Sequence, residues 1–111
     1  MKPNRNDSGA YRKRTEDSLF RAIMALRDIH ECRIFFKDLC SPAELQALVD
    51  RWKVVELLKD NISYRRINEI TGVSVTTIGR VARCLVDGCG GYALALENSV
   101  SSHHGQKPGN S

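Results

Sequence analysis

Histidine is scarce in this 111-residue chain: there are three, and they are His30, His103 and His104. With so few, and with no paired carboxylates at a shared spacing, no nucleophile, base and orienter can be assembled, and an enzyme is not expected. Cysteine is also sparse. Cys32, Cys40, Cys84 and Cys89 are too few for a disulfide scaffold, and three of them lie within or at the ends of apolar helical patterns, so reduced thiols are expected. Cys84 and Cys89 beside His103 and His104 lack the close paired spacing of a metal site, and no metal or other cofactor is expected. No apolar run approaches the roughly 20 residues of a membrane span, and no hydrophobic segment follows the charged N-terminus. These absences exclude a membrane partner and imply a cytoplasmic protein.

What remains is one small helical domain with a basic excess. Apolar residues make up 41% of the chain, enough for a core, although a domain of this size gains by sharing that core with a partner. The formal charge of +4 favours a polyanionic partner, while a merely solvated charged face accounts for it almost as well.

Residues Ile62 to Leu85 carry the sharpest organisation. Ser63 is placed to cap a first short helix, with Ile62 and Ile67 as a hydrophobic staple and Ile67 and Ile70 as the buried face. Gly72 stands where the chain must reverse, and glycine takes φ > 0 there without steric cost. Ser74 then caps a second helix whose Ile78, Val81, Ala82 and Leu85 recur at helical spacing. Thr76, Gly79, Arg80 and Arg83 fall together on its other face. Small hydroxyl side chains let a helix approach base edges closely, and arginine grips guanine or phosphate in bidentate fashion. The pattern reads as a helix-turn-helix whose second helix enters a major groove at its N-terminal end. Two short amphipathic helices around a glycine also occur in ordinary helical domains.

Taken in order, residues 1–14 read as a basic, disordered arm able to track phosphates or simply to solubilise the chain. A helix is expected from about Thr15 to Arg27, capped by Thr15 or Asp17, with Leu19, Phe20, Ile23, Met24 and Leu26 apolar. A second, about Ile29 to Leu39, presents Cys32, Phe35, Phe36 and Leu39. Apolar faces this wide on so short a chain imply burial both in the domain's own core and against another subunit. Ser41, Pro42 and Glu44 form a capping-box signature opening a long helix to about Lys59, with Arg51 and Lys53 on its polar side. Asp87 to Gly91 is a glycine-rich break without the preceding strand or Lys-Ser/Thr ending of a phosphate-binding loop. Tyr92 to Glu97 can add one or two turns, and residues 98–111 read as a disordered tail in which His103 and His104 need no function.

The segments LRDIHECRIFFKDLCSPAELQALVDRWKVVELLKD and ISYRRINEITGVSVTTIGRVARCL together resemble the Trp-repressor superfamily, most closely its Trp-repressor-related YerC/YecD branch. The resemblance covers residues 15–97, and it implies an all-α, Trp-repressor-like helical domain forming an intertwined homodimer on a palindromic double-stranded DNA site. Carried over by position, DNA contacts come from Tyr64, Arg65, Asn68, Ser74, Val75, Thr76, Thr77, Gly79 and Arg80; the residues themselves add Arg83 and Arg66. A transcriptional regulator is expected, and a repressor because occlusion of a promoter needs no second domain.

The resemblance also implies an effector or phosphate site at Ser41, Arg51 and Arg80, since two arginines sandwich the indole in the Trp repressor and a threonine stands at the position of Ser41. Against tryptophan itself, Val81 replaces a glycine that makes room for the indole and Cys84 replaces a serine that holds the ligand's amino group. The arginines are therefore assigned to phosphates or to a different small anion. The alternative from another class is a protein- or RNA-interaction module built on the same helical dimer.

Overall fold

The computed structural model describes residues 8–99, and among them every regular element is a helix. These are α1 (Ser8–Met24), α2 (Ile29–Leu39), α3 (Pro42–Lys59), α4 (Tyr64–Thr71) and α5 (Val75–Asp87), followed by α6 over residues 91–99. The all-α expectation holds. No helix among the described residues is long and apolar enough to cross a membrane. The expectations for Met1 to Asp7 and for the tail from Val100, including His103 and His104, lie outside the described residues. The chain divides into two compact units, the first ending at Leu45 and the second beginning at Gln46.

In the first unit α1 begins at Ser8, ahead of the expected start, so residues 8–14 are helical and belong to no disordered arm. Neither Thr15 nor Asp17 caps it. The Thr15 hydroxyl donates backward to the carbonyls of Tyr11 at 3.1 Å and Arg12 at 2.9 Å, and Lys13 pairs with Asp17 one turn on at 3.8 Å. Arginine and lysine lose little rotamer freedom in a helix, so a basic run is compatible with one when i,i+4 partners are present. The helix also stops at Met24, short of Arg27.

Asp28 caps α2, a cap not among those expected: the Glu31 N–H donates to its Oδ1 at 2.8 Å. Glu31 reaches back in turn. Its Oε1 accepts from the Arg27 backbone N–H at 2.8 Å and its Oε2 from the Arg27 guanidinium at 2.8 Å. The Arg27 side chain first, and the Arg27 N–H second, hold the Glu31 carboxyl below its ordinary value of 4.5. A carboxylate with a depressed folded-state pKa contributes stability that is fully present above its unfolded value and is lost as pH falls through the folded one. The first turn of α2 is therefore expected to fray on acidification below pH 4.5. Amide exchange at Arg27, whose N–H the Glu31 carboxylate accepts, measures this, and Glu31→Gln should reduce the pH dependence.

The first unit has little interior of its own. No residue of α2 is buried; Phe35 and Phe36 meet edge to face, with ring centroids 5.5 Å apart. Met24 is 83% exposed and Ile29 73%, with Phe20, Ile34 and Leu39 about half exposed. The capping box that opens α3 is formed as read: the Glu44 N–H donates to Ser41 Oγ at 3.1 Å and the Ser41 N–H to Glu44 Oε1 at 2.8 Å.

The second unit holds the core. Val54 and Val55 of α3, Ile67 of α4, and Ile78 and Val81 of α5 are all at most 1% exposed, and Trp52, Leu57, Leu58, Ile62, Val73, Leu85, Tyr92 and Leu96 pack against them. Each such burial contributes about 1.5–3 kcal/mol. The expected partner of Ile67 on the buried face, Ile70, is 46% exposed. On a helix of two turns only one position meets the core squarely, and Ile70 lies a turn beyond it. Trp52 and Tyr92 have ring centroids 6.4 Å apart, tying α6 to α3.

Candidate nucleic-acid interface

Two short helices can serve as a reading head only if the turn between them is rigid, and in this chain it is cross-braced. Ser63 Oγ accepts from the Arg66 N–H at 3.1 Å to start α4, and Ile62 packs on the core beside Ile67 as a staple. Gly72 ends the helix in the left-handed region at φ 78°, its N–H donating to the Asn68 carbonyl at 2.8 Å. The Thr71 hydroxyl donates to the Ile67 carbonyl at 2.7 Å and accepts from the Val73 N–H at 3.0 Å. Asn68 Nδ2 donates across the turn to the Val73 carbonyl at 2.8 Å. Ser74 then caps α5, accepting from the Thr77 N–H at 3.1 Å and donating to the Thr77 hydroxyl at 3.1 Å.

The outcome is a fixed α5. Ile78 and Val81 pin one side of it into the core, which turns Val75, Thr76, Arg80 and Arg83 outward as exposed side chains, with Gly79 half-buried between them. Among the described residues neither Arg80 nor Arg83 has a carboxylate partner, so both guanidiniums are open to a ligand. Ser74 is exposed and Thr77 half-buried, and both hydroxyls are already engaged in the cap. On α4, Tyr64 is 42% exposed, and Arg65 and Arg66 are exposed beside Glu69.

Asn68 differs from the other residues singled out by sequence. It is half-buried and its amide nitrogen is spent on the turn, so its first role is to brace the head. Nothing in the local pattern announces this, because the acceptor lies five residues on, beyond the glycine. Asn68→Ala is expected to cost about 1 kcal/mol, read as a lowered urea midpoint.

The three residues of the expected effector site lie on three elements or their caps. Ser41 lies in the first unit, exposed, with its hydroxyl used in the capping box; Arg51 is half-buried on α3 and Arg80 exposed on α5, both in the second unit. Val81 is 1% exposed within the core, and Cys84, one turn on, is exposed. Among the described residues no group of three or more His, Cys, Asp or Glu side chains could hold a metal ion.

Residues 14–100 match the family model described as Trp repressor protein. The chain belongs to the Trp repressor family. It is 43% identical over 81 residues to the uncharacterized protein YerC of Bacillus subtilis strain 168, an alignment covering 73% of this chain and 78% of YerC. Two solved structures of Trp-repressor type superpose with a TM-score of 0.74 each. One is a TrpR-like protein from Eubacterium eligens ATCC 27750, 38% identical, with 77% of this chain and 88% of that one covered. The other is a provisional Trp repressor from Staphylococcus aureus, 34% identical, with 89% and 95% covered. Family membership makes a DNA-binding regulator the natural context for the α4–α5 head of this Trp repressor relative.

Proposed function

We propose that this protein is a sequence-specific, DNA-binding transcriptional regulator that acts as a homodimer on a palindromic site and represses by occupying it. The observation that carries the reading is α5: a helix locked on one side by Ile78 and Val81 and offering, on the other, Thr76, Gly79 and two arginines, Arg80 and Arg83, without a carboxylate partner among the described residues. Hydroxyl and guanidinium groups on one rigid helical face are the chemistry that reads base edges and grips phosphates. Tyr64 and Arg65 supply contacts from α4. The exposed apolar residues of α1 and α2, among them Phe20, Met24, Ile29, Ile34 and Leu39, support a second copy as what would cover them. The provisional Trp repressor from Staphylococcus aureus supports repression as the direction of control. The cytoplasm is the corresponding location.

Tryptophan is not its effector in this reading. The β-branched Val81 occupies core volume where an indole would need a glycine's room, and the thiol of Cys84 is a poor replacement for a hydroxyl donor. Arg51 and Arg80 serve phosphates or a small anion. Calorimetric titration that finds micromolar tryptophan binding overturns this part.

The test is retention of sheared genomic DNA by the purified protein at physiological salt with no added ligand, followed by sequencing. Enrichment of a palindromic site is the expected result. Retention without sequence preference that collapses with salt reduces the activity to backbone electrostatics, and no retention of DNA by a folded dimer moves the reading to a protein- or RNA-interaction module. Gly79→Ala sharpens the test because its two effects have opposite signs. An added methyl meets nothing within 4 Å in the free protein, so the helix gains about 0.5–1 kcal/mol, while a face pressed into a groove loses its closest approach. A higher melting temperature with weaker site binding is expected.

A further inference from the structure

The first helical position of α5 is Val75, and its side chain is 53% exposed. The other fully exposed side chains in the first two turns of α5, Thr76 and Arg80, carry hydrogen-bonding groups, whereas Val75 offers only methyls. The Ser74 cap fixes the backbone beneath those methyls, its Oγ accepting from the Thr77 N–H at 3.1 Å and its carbonyl from the Ile78 N–H at 2.9 Å. A β-branched side chain in a helix keeps close to one rotamer. Helical Cα–Cβ bonds tilt toward the N-terminus, so a side chain at the first position leans past the end of the helix. Its neighbour one turn on, Gly79, has no side chain to cover it.

We propose that Val75 is a specificity-determining residue that packs on the C5-methyl of a thymine in each half of the DNA site. This contact rests on the DNA-binding reading, in which the N-terminal end of α5 enters the major groove. Of the groups that base pairs present there, the thymine methyl is apolar and the rest are hydrogen-bond donors and acceptors. An aliphatic side chain pressed on a cytosine amino group or a guanine O6 takes a polar group from water without giving it a partner, which is unfavourable. On a thymine methyl both apolar surfaces leave water together. Val86, 81% exposed, stands in the last turn of α5, about 16 Å along the axis from Val75 and away from the end that enters the groove.

The experiment is a uracil scan of the duplex most enriched by wild-type protein. Each symmetry-related pair of thymines is replaced in turn by deoxyuridine, which keeps the base pair and removes only the methyl, and binding is followed by fluorescence anisotropy. Wild-type protein is expected to lose affinity at one thymine position, by about three- to fivefold for each half-site, the worth of one buried methyl. Val75→Ala is expected to bind the thymine duplex more weakly by a like factor and to be indifferent to uracil at that position, with a melting temperature no lower than that of the wild type. Thr76→Ser removes the methyl of the adjacent exposed side chain while keeping its hydroxyl, and it should leave the uracil effect in place. Val75 is removed from this role if the enriched site holds no thymine or if no uracil weakens wild-type binding. The same follows if the uracil effect survives undiminished in Val75→Ala, or if Thr76→Ser is the change that abolishes it. Wild-type protein that retains no DNA, or retains it without sequence preference, defeats the DNA reading itself, and that result is visible before any uracil is introduced.

Discussion

Ile67→Ala is expected to be among the most damaging single changes to the fold, costing about 2–5 kcal/mol through lost burial and the cavity left behind. Ile67 is fully buried and stands where α3, α4 and α5 meet, in a core that, among the described residues, also includes Val54, Val55, Ile78 and Val81. Small domains hold roughly 5–15 kcal/mol in all, so the loss is a large share of the total. At fixed protein concentration, thermal denaturation followed by circular dichroism should show a melting temperature lower by roughly 10 °C or more. Ile70→Ala is the control. It is 46% exposed on the same helix, and its replacement should leave the transition nearly in place. Equal effects at the two positions would mean that the α4 face buried in solution differs from the one described.

Arg80→Ala is expected to have the largest effect on DNA binding with the smallest effect on stability. Its side chain is exposed and has no ion-pair partner among the described residues, so unfolding should shift by no more than about 0.5 kcal/mol. A well-placed arginine contact to a base is worth about 1–3 kcal/mol of discrimination, and therefore roughly 5- to 150-fold in affinity for each reading head. Anisotropy on the enriched duplex and on a random one separates the possible origins. Loss confined to the enriched duplex identifies a base contact, and equal loss on both, with a shallower salt slope, identifies a phosphate contact. Unchanged binding to both removes Arg80 from the interface and takes the central support from the proposed function.

These predictions divide along the line between what short spans of sequence encode and what they do not. The ends of α3, α4 and α5 were legible because a cap is a contact within three or four residues: Ser41 with Glu44, Ser63 with Arg66, Ser74 with Thr77, and Gly72 in its left-handed turn. The Asp28 cap is equally local, a contact with Glu31 three residues on. The early start of α1 was hidden for a different reason, since a basic run without apolar periodicity reads as disorder until its i,i+4 partners are seen.

By itself, then, the sequence determined an all-helical chain, the order of its helices, the capped turn and the outward set Thr76, Gly79, Arg80 and Arg83, because each depends on neighbours one helical turn away. Only the tertiary structure decided that Ile67 and not Ile70 enters the core and that Asn68 braces Val73. It also showed the apolar sides of α1 and α2 uncovered in the single chain. The reason is physical: periodicity names the apolar side of a helix, but which position on that side becomes dry depends on what packs against it, and that is a property of three helices at once.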